Sequence, residues 1–132
     1  MLGWCLMTNH VHWLVVPDRE DSLSLLFRRV HGRYAQYLNA KRQRTGHLWQ
    51  NRFFSCAVAP EREQIVLRYV EWNPVRAEMV ESPERDSWSN AAAHLVGPAS
   101  EIIPLLDWDY WRGQGGAEEW SRLLGTAETS GN

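Results

Sequence analysis

His10-Val11-His12-Trp13-Leu14-Val15-Val16-Pro17 is a β-branched and aromatic run closed by a proline, the pattern of a strand. Alternation along a strand places His10 and His12 on one face and Val11 on the other. Working backwards, Thr8-Asn9 is turn chemistry, and residues 2–7 are short, mostly apolar and free of helical caps. The two segments are expected to pair as strands through a tight connection. Working forwards, Asp21 or Ser22 can cap a helix. Leu23, Leu26, Phe27, Val30, Tyr34, Tyr37 and Leu38 then recur at three- and four-residue spacing, an amphipathic helix to about residue 43 that Thr45-Gly46 breaks. Phe53 to Val58 reads as another strand. Pro60 can open a second helix carrying Ile65, Val66, Tyr69, Val70 and Asn73, its end disturbed by Pro74. The order strand, strand, helix, strand, helix implies an α+β fold, with a sheet covered by helices on one side.

Outward from that region the chain becomes Pro-, Ser- and Gly-punctuated beyond residue 82, with tryptophans around Trp108 and Trp111. Residues 1–96 are expected to form one domain. Residues 97–132 then make a Trp-rich, acidic extension whose tail frays from about Gly125. With 132 residues the chain can bury one modest core. No apolar run is long enough to cross a bilayer, and the N-terminus lacks a signal peptide's basic start, so a cytoplasmic location is expected. Cys5 and Cys56 form no zinc or CxxC spacing and are expected as buried, reduced thiols.

The net charge is −2, but it is segregated. Arg19, Arg28, Arg29, Arg33, Lys41, Arg42, Arg44 and Arg52 face only Glu20 and Asp21 between residues 19 and 52. From residue 100 the balance is acidic. A basic segment suits a polyanion, although a solvated helix face would read the same way.

Two neutral imidazoles on one strand face can hold one metal ion, as His10 and His12 would. Tyr69 and Asn73 stand four apart on a helix and share a face. Separately each pair has a plain structural reading: histidines on a wet sheet, and a core tyrosine before a helix-ending Asn-Pro. Together they are more specific. A divalent ion polarises a phosphodiester, a tyrosine oxygen is a competent nucleophile, and Asn73 can add an oxygen ligand. Other groups take structural readings. Tyr34 and Tyr37 belong to a helix face, Trp13 and Trp88 to the core, and His31, His47 and His94 to the surface or to caps. Glu71 lies on the tyrosine helix but away from Tyr69.

Cys5-Leu6-Met7-Thr8-Asn9-His10-Val11-His12 resembles the HUH motif of single-tyrosine transposases, in the branch called REP-associated tyrosine transposases. Gly46-His47-Leu48-Trp49-Gln50-Asn51-Arg52-Phe53 resembles that branch's linker. Arg68-Tyr69-Val70-Glu71-Trp72-Asn73-Pro74-Val75-Arg76-Ala77 resembles its tyrosine-helix motif, and Trp88-Ser89 with Ala93-His94 its Trp-Ser segment. The resemblance runs from about Gly3 to Val96. It implies a ferredoxin-like (RRM-like) antiparallel sheet, metal ligation by His10, His12 and Asn73, and Tyr69 as nucleophile. The reaction would leave a 5′-phosphotyrosine and a free 3′-OH. The ion would be Mg2+ or Mn2+. The substrate would be single-stranded DNA, often beside a hairpin, contacted by Arg28, Arg29, Arg33, Lys41, Arg42, Arg44, Gln50, Arg52 and Arg76.

Two departures stand out. The family carries several dozen residues, including a first strand and helix, before the segment that here opens at Met1. An N-terminally truncated sheet is therefore expected to expose a strand edge open to a second copy. Glu78 stands where the motif carries glycine. Three functions follow: a DNA-cutting and rejoining enzyme, an inactive relic that still binds single-stranded or hairpin DNA, or an unrelated metalloprotein acting on a small molecule. The last leaves Tyr69 and the basic segment without a role.

Overall fold

The computed structural model describes residues 1–49, 53–101 and 103–125, the last three of these by backbone alone. The chain is α+β. Strands β1 (Gly3–Leu6) and β2 (Val11–Leu14) are followed by helices α1 (Ser22–Lys41), α2 (Glu63–Arg76), α3 (Ala91–Val96), α4 (Trp108–Gly113) and α5 (Gly116–Gly125). It divides into two compact units, Met1–Val16 with Val58–Asn132, and Pro17–Ala57.

In the first unit β1 and β2 form an antiparallel hairpin with Gly3 opposite Leu14, Cys5 opposite His12 and Leu6 opposite Val11. Met7 N–H donates to the His10 carbonyl across Thr8-Asn9 at 2.8 Å, closing the turn. Residues directly opposite share a face, so Gly3, Cys5, His12 and Leu14 point to one side. Helix α2 packs there. A Cβ on Gly3 would lie 2.2 Å from Leu67 Cδ1, so only glycine lets the tyrosine helix seat this closely.

The outer edge of β1 is paired by residues 88–90. Leu6 N–H donates to the Trp88 carbonyl at 2.7 Å, and Cys5 bridges to Ser89. Among the described residues no strand pairs the outer edge of β2.

Leu2, Leu14, Leu67, Trp111 and Trp120 form the buried core, with Val66, Trp72, Leu95, Trp108 and Tyr110 packed against it. Two of its members come from α4 and α5. Each buried tryptophan removes roughly 150–250 Å² from water, at most on the order of 4–6 kcal/mol. The acidic, tryptophan-rich segment is thus part of the packing under the hairpin. Glu63 in the first turn of α2 accepts a hydrogen bond from Tyr110 Oη at 2.9 Å. Burial and that carboxylate push the Tyr110 phenol up to about 12.

Helix α2 runs through Pro74 to Arg76 and ends in a Schellman turn. Glu78 N–H donates to the Val75 carbonyl and Met79 N–H to the Pro74 carbonyl, each at 2.9 Å, with Glu78 at φ 57°. That left-handed position is the one where glycine was expected.

In the second unit α1 ends the same way, with Gln43 at φ 52°. Residues after it fold back along the helix. Asn39 Nδ2 donates to the Gly46 carbonyl and Trp49 Nε1 to the His31 carbonyl, both at 3.0 Å, and the Trp49 and His31 rings stack at 4.0 Å. No residue of α1 is buried.

Four expectations are corrected. Phe53–Val58 pairs with no strand among the described residues, and Phe54 is 92% exposed; a β-prone run without a ladder partner stays irregular. Trp88 is largely exposed, and Trp4, Trp111 and Trp120 take the buried places instead. His94 is buried. Cys56 is exposed, whereas burial, aided by Asp86, pushes the Cys5 thiol up to about 12 and keeps it protonated. Gln50, Arg52 and the tail beyond Gly125 lie outside the described residues.

Candidate active site

The site is assembled in the first unit from the hairpin and α2. The His10 and His12 rings lie 4.8 Å apart, edge to face, as the strand alternation requires. Asn9 Oδ1 is 2.7 Å from His10 Nδ1. With that amide oxygen as acceptor, Nδ1 carries the proton and Nε2 keeps its lone pair for a ligand. His12 Nε2 is buried and has no hydrogen-bond partner among the described residues. Burial, then His10, then Arg76 hold its pKa below the usual histidine value, which favours the neutral ring a metal needs.

Tyr69 is half exposed, its ring centroid 6.0 Å from that of His12. Arg76 reaches back two turns along α2. Its guanidinium carbon lies 4.2 Å from the Tyr69 ring centroid, and Nη2 donates to the Tyr69 carbonyl at 2.5 Å. The guanidinium is thus within reach both of the phenol and, electrostatically, of His12. Arg76 is one of the residues expected to contact DNA; its seven-residue offset from Tyr69, two turns on one face, is the sequence signal for its contact with that ring.

Asn73 lies one turn beyond Tyr69. It is buried, and its Nδ2 has no partner among the described residues. Rotating the amide by half a turn exchanges N for O, so the same position can present an acceptor. Among the described residues no three His, Cys, Asp or Glu side chains stand together as a metal group. The donors are two imidazoles and an amide. That set suits a divalent ion completed by water or by phosphate oxygens, and the orphaned atoms of His12 and Asn73 fit such a group.

Arg28, Arg29, Arg33 and Lys41 lie on α1, and Arg42 and Arg44 on the turn that closes it, all in the second unit and all exposed. Among the described residues none of them is held by a carboxylate. Lys41 Nζ sits 5.8 Å from the Tyr37 ring centroid.

The family model described as "Transposase IS200 like" matches residues 1–73. The chain belongs to the IS200-like transposase family. The match spans more than half of the chain and contains His10, His12, Tyr69 and Asn73. No curated protein and no solved structure matches this transposase-family chain. No helix among its described residues is long and apolar enough to cross a membrane.

Proposed function

We propose that the chain cuts and rejoins single-stranded DNA through Tyr69, as a member of the REP-associated, HUH single-tyrosine branch. The hairpin crossed by α2 is in keeping with part of a ferredoxin-like sheet. The observation that carries the reading is the placing of His12, with an unpartnered buried Nε2, 6.0 Å from the ring of the half-exposed Tyr69. A nucleophile that must meet a polymer needs exposure, and a ligand nitrogen needs a free lone pair.

Tyr69 Oη attacks a backbone phosphorus. The Oη–P bond forms and the P–O3′ bond breaks. The phenolic proton passes to solvent, and the departing 3′ oxygen takes one up. Attack by a 3′-OH on the phosphotyrosine reverses the step and rejoins DNA. His10, His12 and Asn73 would hold Mg2+ or Mn2+, which when bound polarises the phosphate and offsets its developing charge. Arg76 shares that task from the face of the tyrosine ring and orients the phenol. The exposed cations of α1 bind the backbone of the strand, which neutral side chains would hold far less well.

The test is incubation with Mn2+ and labelled single-stranded DNA flanking a hairpin, run on a denaturing gel. The wild-type chain forms a covalent protein–DNA adduct and Tyr69→Phe forms none. An adduct with Tyr69→Phe overturns the assignment. Binding without any wild-type adduct overturns it in favour of a non-catalytic DNA binder.

A further inference from the structure

Glu71 lies between Tyr69 and Asn73 in sequence but on the opposite side of α2, and it is wholly buried. A buried carboxylate is expensive unless donors surround it. Here they converge from two other elements, α3 with its N-cap and α5. Asn90 Nδ2 donates to Oε1 at 2.5 Å, His94 Nδ1 lies 2.5 Å from the same oxygen, and Trp120 Nε1 donates to Oε2 at 2.6 Å. Asn90 Oδ1 in turn accepts from the Trp4 backbone N–H of β1 at 2.5 Å. Trp111 stacks flat on the His94 ring at 4.0 Å, and Trp120 meets it edge-on. Glu71, Asn90 and His94 are each 2% exposed or less.

Hydrophobic contact alone leaves a helix free to rotate or slide by small amounts over its bed. A carboxylate clamped from two sides does not, because each displacement leaves a buried donor unmet. Rotation about the α2 axis is also the motion that swings Tyr69 and Asn73 away from the hairpin. We infer that Glu71, Asn90, His94 and Trp120 form a positioning network that fixes the rotation of α2 and so sets Tyr69 against His12. The inference rests on the proposed role of Tyr69. It assigns α3 and α5, both outside residues 1–73, a share in building the site. A network serving stability alone would be matched by any apolar packing of equal volume.

The test uses the full chain with Trp120→Phe, which removes the indole N–H and keeps a packed ring, and Glu71→Gln, which turns one acceptor into a donor facing Trp120. The first readout is the nuclear Overhauser contact between the His12 and Tyr69 rings, which needs no catalysis. It is expected in the wild type and at least fivefold weaker in each variant, at a temperature where both are folded. The second is single-turnover adduct formation at saturating DNA, expected at least tenfold slower with DNA affinity changed less than twofold. The double variant is expected to be no worse than Glu71→Gln, since the new donor then meets no opposing N–H. Variants that melt earlier yet keep the ring contact would reduce the network to a structural one and overturn the inference. If no wild-type adduct forms, the proposed reaction fails while the ring contact still decides the positioning.

Discussion

Helices α1 and α2 carry apolar residues at the same three- and four-residue period, yet Leu67, Val70, Glu71, Asn73 and Pro74 of α2 are buried and no residue of α1 is. The difference lies in what each helix has to pack against. Helix α2 seats on a hairpin opened for it by Gly3 and is backed by Trp111 and Trp120. Among the described residues of its own unit, helix α1 is met by its returning segment, through Trp49 on His31 and Phe53 near Phe27 at 4.5 Å. On the proposed function, the covered helix holds groups that must be placed to within an ångström for chemistry. The exposed one displays cations, which would act on a polyanion through charge and need no such precision.

The strongest contrast is expected at the apolar contacts of the two helices. Leu67→Ala should cost about 2–5 kcal/mol in urea unfolding, because it opens a cavity where α2 meets β1. Leu26→Ala, at an exposed position of α1, should cost about 1 kcal/mol or less, chiefly through lost partial burial. Equal losses would show that the two helices are supported alike.

A smaller effect is expected at the end of α2. Glu78→Gly should raise stability by about 0.5–1 kcal/mol, since glycine adopts φ 57° without the Cβ penalty. Offsetting it, the unfolded chain gains freedom, which keeps the gain small. A melting temperature unchanged or lowered by this substitution would mean that Glu78 makes up its backbone cost through contacts of its side chain.

Much of this was legible in the residues. The Thr8-Asn9 turn, the alternation that pairs His10 with His12, and the spacing of Tyr69 and Asn73 are all local rules, and local rules survive folding. The glycine expected at 78 came from the family resemblance, and only the structure gives its left-handed φ. What was not legible is coverage. Period alone does not say how deeply a helix is buried, so α1 and α2 looked alike. The strand expected at Phe53–Val58 has the right composition, but a strand exists only through a partner. His94 and Glu71 looked like surface and idle residues because their significance lies in contacts with Asn90, Trp111 and Trp120, far along the chain. The segment after residue 97, acidic and rich in tryptophan, gave no sign that two of its indoles enter the core.

The division between a placed site and a displayed charge is tested most directly by adduct yield against DNA concentration, for the wild-type chain and for Arg28→Ala/Arg29→Ala/Arg33→Ala. The triple variant is expected to reach the wild-type plateau rate at higher DNA concentration, with a log–log salt slope shallower by about 2 for three lost single-strand phosphate contacts. A lowered plateau at an unchanged midpoint and salt slope would contradict that division, by placing these arginines in the chemistry and leaving the binding of DNA to other groups.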